Sequence, residues 1–408
     1  MKGLKIKIQA LLLCGVLITG LFSSCASDEN IDNGNKVNAG DKVLTLTLNT
    51  PKATTTSGAK TRADGTNITG NPTEDQINRL TIGIFDQAGT TVRTIQELTV
   101  GTGAGYFTTP TGTPNTTTAT LVTNSLANND QVLVAANAPA GTFNGCKTVS
   151  DFEVRTIAID AALATPSTGT ADITKEAIDN IPMYGTGSIT ASGTTYTSVV
   201  AIQHQLAKIT LNTLGVAFDQ NGPYKSATFK PTSFFLINVP GDLKFNSDAW
   251  SGSAATYQGW DNSDAGNYKA YLGTGDQTYA ALTGTISITP GNIFYTMPNS
   301  DATTKNTKLV IGGIFDPDPS ITDPSQASTV YYPVNINAVY NKANKNFDPA
   351  DKGGSLAKSV YPNKNYICKV YIKTKGATSP TDQIDPEAVS VEVTVTPFVD
   401  ADQDTTFE

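Results

Sequence analysis

Lys42-Val43-Leu44-Thr45-Leu46-Thr47-Leu48-Asn49 alternates apolar and polar side chains, and Val389-Ser390-Val391-Glu392-Val393-Thr394-Val395-Thr396 near the other end does the same. A period of two is that of a β-strand, which sends successive side chains to opposite faces. Leu44, Leu46 and Leu48 share one face of the first strand; Val389, Val391, Val393 and Val395 share one face of the second. Each strand hangs on an aperiodic polar tether. Pro51 to Pro72 is rich in Thr, Ser, Gly, Ala and Asn, and Lys375 to Asp385 in Gly, Pro, Ser and Thr, as exposed connecting chain is. The two ends therefore carry equivalent strands.

Between them, Arg79 to Phe85 and Val132 to Ala136 are nearly continuous apolar runs and read as fully buried strands, with a weaker strand at Thr118 to Val122. Further strands are expected at Val199 to Leu211, Ser233 to Val239, Ile293 to Met297, Leu309 to Phe315, Tyr331 to Ile336 and Tyr366 to Ile372. One short helix is expected from Ser150 to about Ile159, because Ser150 and Glu153 have capping-box spacing. A second is expected at Thr174 to Asn180. Many strands separated by turn-rich loops indicate antiparallel sandwiches rather than βαβ units. The expected class is mostly β, with two β-sandwich domains over 63–197 and 198–380 and a C-terminal segment over 381–408.

The chain has 408 residues, enough for two or three domains with their own cores. It holds 28 Lys plus Arg against 36 Asp plus Glu, a net charge of -8. That sign argues against nucleic acid as a partner, since phosphate contact needs basic groups. One histidine and four cysteines leave little material for a zinc site or a histidine-based triad. His204 lies in an apolar-flanked stretch and reads as structural. The Asp316, Asp318 and Asp323 group and Asp400, Asp402 and Asp404 lack the Gly and closing Glu of an EF-hand. Gly101, Gly103 and Gly105 have the wrong spacing for a dinucleotide loop. No catalytic, cofactor or metal site is expected, and the protein is not expected to be an enzyme.

At the start, Lys2, Lys5 and Lys7 precede an apolar run from Ile8 to Phe22 and then Ser23, Ser24 and Cys25. This is the order of a signal peptide, residues 1–24, and is too short for a spanning helix. A cysteine after small residues resembles a bacterial lipobox, in which Cys25 is acylated and becomes the first mature residue. Acyl chains anchor without a membrane-spanning helix. Asp28 and Glu29 resemble the export tag of surface lipoproteins or belong to a solvated linker. Cys14 leaves with the signal. Cys146 and Cys368 read as buried free thiols, with a disulfide open to an exported protein. Within the first tether, Lys60-Thr61-Arg62-Ala63 is a polar tip where a protease nicks a folded protein, or an ordinary basic patch.

These pieces together resemble the FimA/Mfa-type fimbrillins, the major fimbrial subunits of Bacteroidales type V pili. The resemblance rests on the lipobox, Thr61-Arg62-Ala63, Val132 to Asn137, His204-Gln205-Leu206-Ala207-Lys208-Ile209, Tyr331-Tyr332-Pro333-Val334, Asn363 to Ile367, and Val391 to Val395 closing on Pro397-Phe398. It implies transthyretin-like sandwiches and a lipoprotein precursor held in the outer membrane, whose propeptide, 25–62, is cut by a trypsin-like or arginine-specific protease. The cut would fall between Arg62 and Ala63, or after Lys60. It would release the strand of Leu44, Leu46 and Leu48, and the Val389, Val391, Val393 and Val395 strand of the next subunit would take its place. Implied partners are identical subunits head to tail, together with anchor and tip subunits, in a surface fimbrium supporting adhesion. A competing reading is a glycan-binding surface lipoprotein, in which Trp250, Tyr257, Trp260, Tyr268 and Tyr271 stack on sugars or simply pack a long loop.

Overall fold

The computed structural model describes residues 40–50, 60–61, 74–108, 116–158, 180–245, 257–258, 278–284, 286–323, 326–353 and 355–398. Cys25, Arg62, Ala63, Trp250, Trp260, Tyr268, Tyr271, Asp400, Asp402 and Asp404 lie outside them, as does nearly all of the expected helix at 174–180. Among the described residues no helix is long and apolar enough to cross a membrane.

The fold is almost entirely β. Its first strands are β1 (Lys42–Asn49), β2 (Lys60–Thr61), β3 (Arg79–Phe85), β4 (Val92–Val100), β5 (Tyr106–Phe107), β6 (Thr116–Thr123) and β7 (Gln131–Ala136). A one-turn helix, α1 (Val149–Glu153), precedes β8 (Thr156–Ala158), β9 (Met183–Ser188), β10 (Thr190–Ser192), β11 (Thr195–Ala201), β12 (Gln203–His204) and β13 (Ala207–Val216). Then come β14 (Thr228–Ile237), β15 (Val239–Pro240), β16 (Asp242–Lys244), β17 (Tyr257–Gln258), β18 (Ser287–Ile288), β19 (Asn292–Thr296) and β20 (Lys308–Asp316). The last are β21 (Ser328–Asn335), β22 (Val339–Asn341), β23 (Asn346–Asp348), β24 (Lys364–Ile372) and β25 (Val389–Pro397).

Ten strands form the first sheet, in the order β10-β11-β1-β6-β5-β4-β3-β7-β9-β12. It curls so that β11 returns against β9. A Cβ on Gly185 would stand 2.2 Å from the Ala201 carbonyl oxygen, and one on Gly187 2.7 Å from a Val200 methyl. Leu44, Leu46 and Leu48 of β1, Leu80, Ile82 and Ile84 of β3, and Val132, Val134 and Ala136 of β7 fill the enclosed core. Apart from Arg79 and Gln131 at their starts, the remaining residues of β3 and β7 are buried too. Phe85, Leu133 and Ala135 face a second core, where they join Phe143 and Phe152 of the α1 region. Strands covered on both faces have no need to alternate polar with apolar, which explains the runs Leu-Thr-Ile-Gly-Ile-Phe and Val-Leu-Val-Ala-Ala.

The second core continues between two further sheets. One has the order β2-β19-β13-β24-β25, with β18 also on β13, and the other β14-β20-β21. Ile209, Leu211 and Leu214 of β13 and Tyr366, Cys368 and Val370 of β24 supply one side. Phe234 and Leu236 of β14, Ile311 of β20 and Tyr332 of β21 supply the other. Two packed sheets with inward-facing alternate residues make a sandwich.

Several expectations change in detail. The helix is capped by Thr148, not Ser150: Thr148 accepts from the Asp151 amide at 3.0 Å, and Asp151 accepts from the Thr148 amide at 3.1 Å. The shorter Thr-x-x-Asp box competes successfully with Ser150 and Glu153, and the helix stops at Glu153. Thr156–Ala158 then leaves as a strand that pairs with Asp242–Lys244. The stretch expected as one strand from Val199 to Leu211 is three, with β11 and β12 in the first sheet and β13 in the second. Strand β11 spans the 197/198 boundary, and the change of sheet falls between His204 and Ala207. The regular strand β4 was not expected, because its sequence lacks a clean alternation. Cys146 and Cys368 are both buried, and no disulfide joins them.

Gly185→Ala places a methyl group against the Ala201 carbonyl, and we expect it to destabilise the fold by about 1–3 kcal/mol. A urea-unfolding midpoint unchanged from the parent chain would contradict the close approach of β9 and β11.

Candidate functional site

The two alternating end strands occupy different kinds of place. Strand β1 lies inside the first sheet, antiparallel to β6 and parallel to β11. Leu44 stands opposite Leu121 and Tyr196, Leu46 opposite Ala119 and Ser198, and Leu48 opposite Thr117 and Val200. All three leucines are fully buried. Their removal would uncover an apolar slot bordered by the unpaired backbones of β6 and β11, the two features that invite strand addition.

Among the described residues, strand β25 is an edge strand hydrogen-bonded only to β24. Val389, Val391, Val393 and Val395 stand opposite Ile372, Val370, Cys368 and Tyr366. Val389 is buried and the other three are partly buried against the second core. On the outer face, the Glu392 carboxylate lies 3.9 Å from the Lys369 ammonium in an exposed pair, a geometry that contributes little. The two ends therefore do not share one slot within this chain.

Beyond β25 the chain is pinned by Phe398. Its amide donates to the Asn363 carbonyl at 3.0 Å, and its ring is buried. That ring covers a buried polar cluster. The Lys208 ammonium donates to both oxygens of Glu74 at 2.7 and 3.0 Å, and the Tyr295 hydroxyl donates to the same carboxylate. His204 makes one hydrogen bond, from Nε2 to the Glu74 carbonyl at 2.8 Å, and its Nδ1 is buried without a partner. The ring centroids of Phe398 and His204 are 4.2 Å apart, and the Lys208 ammonium is 5.5 Å from the Phe398 centroid. Burial holds the His204 imidazole down at about 4, against smaller opposing effects from its Glu74 hydrogen bond and the Glu74 charge, while the Lys208 charge adds to the lowering. The ring is thus neutral at pH 7, with Nε2 carrying the proton.

Lys60–Thr61, the backbone just before the expected cut, pairs in parallel with Asn292 and Ile293 of β19 at the opposite edge of the sheet that ends in β25. Arg62, Ala63 and Cys25 lie outside the described residues. The Asp318 carboxylate accepts from the amide and hydroxyl of Ser320 in its own turn, at 3.1 and 2.6 Å. Among the described residues no group of three or more His, Cys, Asp or Glu side chains could hold a metal ion. Sequence reasoning missed the cluster beneath Phe398. Glu74 and Lys208 are 134 positions apart, so no local pattern joins them; the one signal was a lysine inside the apolar run Leu206-Ala207-Lys208-Ile209.

No curated protein matches this sequence. Among solved structures, a candidate cell adhesion protein from Bacteroides eggerthii superposes with a TM-score of 0.55 at 19% identity, covering 90% of this chain and all of that one. A candidate cell adhesion protein from Parabacteroides distasonis gives 0.55 at 17% identity over 88% of this chain and all of that one. A fimbrilin from Porphyromonas gingivalis gives 0.52 at 19% identity over 88% of this chain and 99% of that one. These likenesses establish a shared fold. In sequence, the family model described as major fimbrial subunit protein (FimA) matches residues 43–241, from β1 through the whole first sheet and on to the end of β15. Over residues 43–241 this chain is therefore similar to the FimA major fimbrial subunit family.

Proposed function

We propose that the protein is a shaft subunit of a surface fimbrium, exported as a lipoprotein acylated at Cys25, cut after Arg62 and polymerised by strand exchange, in support of adhesion. The observation that carries this reading is the contrast between β1 and β25. A strand paired on both sides and buried through three leucines fills the first sheet, while a strand of matching alternation is held at an edge on one side only.

The energetics agree. Three buried leucines at ~1.5–3 kcal/mol each hold β1 by roughly 5–9 kcal/mol before ordering costs. While β1 is covalently attached, its effective concentration at the slot exceeds that of any other chain. A cut after Arg62 removes that advantage, and once β1 has gone, the neighbour's β25 restores both the apolar contacts and the backbone pairing. The donated valines gain less than a full transfer from water, because β25 already buries Val389 and parts of Val391, Val393 and Val395 in its own chain. Exchange therefore requires β25 to leave its edge and Phe398 to leave His204. A head-to-tail contact of this kind does not close on itself, so it extends into a fibre.

We expect Arg62→Ala combined with Lys60→Gln to give a monomeric precursor after trypsin treatment, while the parent chain yields a mature protein beginning at Ala63 and visible fibres. Fibres undiminished in the double variant would refute the proteolytic switch.

A second expectation concerns pH. His204 is held neutral beneath Phe398 and regains ordinary basicity when uncovered, so the released form binds more protons below its ordinary value of 6.5. The seated form thus keeps its full advantage above that pH and loses it progressively as the pH falls toward 4. Protection factors of the β25 amides should drop on the order of tenfold between pH 7.5 and 5. Phe398→Ala should flatten that dependence, and an unchanged pH profile in that variant would contradict the coupling.

A further inference from the structure

Behind the root of β25 lies a cavity of about 290 Å³. Four parts of the chain wall it: the turn of Thr303 and Thr304 with Lys308 of β20, the end of β21 from Pro333 to Asn335, the aromatic pair Tyr340 and Phe347 with Lys358, and the segment from Thr381 to Val391. Among the described residues no acidic side chain lines it. Neither Lys308 nor Lys358 is within ion-pair distance of a carboxylate among the described residues. Nearby acids are otherwise engaged. Asp301 accepts from the amides of Thr303, Thr304 and Lys305 and from both threonine hydroxyls. Asp348 accepts from Asn341, and Glu387 pairs with Lys342 at 3.6 Å.

The result is two ammonium groups at one partly dry cavity with no counter-charge. Burial, and then the charge of Lys358, push the Lys308 amine below its usual range. Lys358 sits 4.7 Å over the Phe347 ring, a favourable contact for a cation that leaves its charge unneutralised. An anion placed between the two lysines would relieve their repulsion and supply charge-assisted hydrogen bonds. The rest of the lining is mixed. Thr303, Thr304, Asn335 and Gln383 offer hydrogen-bonding groups, while Tyr340 and Phe347 offer apolar faces. The volume lies near the lower end of the range for small-molecule sites, roughly 300 Å³, and fits one sugar-sized group.

We propose that this cavity binds a small hydroxylated organic anion of the size and chemistry of an acidic monosaccharide, with its carboxylate between Lys308 and Lys358 and its C–H face against Tyr340 and Phe347. Ile384, Pro386, Val389 and Val391 close the opposite wall, so the site is complete only while β25 is seated. A ligand there stabilises the seated strand by mass action and opposes its release. That last consequence rests on the strand-exchange reading; the site itself does not.

The test is calorimetric titration of the full chain with D-glucuronate, D-glucose and inorganic sulfate. Glucuronate should bind saturably at millimolar concentration, with glucose and sulfate each weaker by about tenfold. Lys308→Gln and Lys358→Asn should each weaken glucuronate by about tenfold while circular dichroism shows the parent fold; asparagine suits the left-handed backbone at position 358, where φ is 69°. Absent glucuronate binding, equal binding of glucose or sulfate, or full affinity in the folded lysine variants would overturn the site. A methyl glucuronoside mimics the end of a glycan. Its binding as tightly as glucuronate assigns the site to glycan ends, and its failure assigns it to the free acid; either result supports an acidic-sugar site. Hydrogen exchange separates the coupling: glucuronate should raise protection of the Glu392 and Thr394 amides, which face β24, severalfold, and binding without that rise overturns the coupling alone. Failure of the cut chain to form fibres would overturn strand exchange without altering the titration.

Discussion

The burial of Leu44, Leu46 and Leu48 between β6 and β11 completes the first sheet, and the remaining architecture depends on it. With β1 in place, β6 and β11 are joined into one surface, and the sheet can curl until β11 meets β9. Three apolar side chains and two rows of backbone hydrogen bonds act together there. Losing them would expose a slot far too apolar to stay open in water, since each leucine alone is worth a few kcal/mol of transfer free energy.

The C-terminal strand is held by different means. Its valines give modest apolar contact at an edge, and its anchor is the ring of Phe398 over Glu74, Lys208, Tyr295 and His204. Buried ionic groups of this kind are tolerated only while each stays paired and dry, and His204 already lacks a partner for Nδ1. The cluster links the Glu74 segment just downstream of the first tether, β12, β13, β19 and the end of β25. Strand seating and the charge state of one imidazole are therefore physically tied.

Where one face of a strand is buried, the sequence carries the pattern openly. Both end strands and the strands at Arg79 to Phe85 and Tyr366 to Ile372 could be placed almost to the residue, because alternation or unbroken apolar character reports burial directly. What alternation cannot report is the strand's neighbour. That β1 lies between β6 and β11 while β25 has only β24 among the described strands follows from long-range pairing, and so does the fact that the two ends fill separate places. The helix cap moved two residues because two capping boxes overlap within Thr148 to Glu153, and local chemistry alone does not rank them. The Glu74 cluster and the lysine-lined cavity were invisible for the same reason: their members come from distant parts of the chain.

Strands β3 and β7 send alternate side chains into two different cores. A wall shared in this way offers no seam along which the two halves could part. Force applied at the ends of such a molecule would be carried through the interior as through a single beam. Were such units joined by strand exchange, as proposed, the filament would yield under load at the borrowed strand before the body of any subunit gave way.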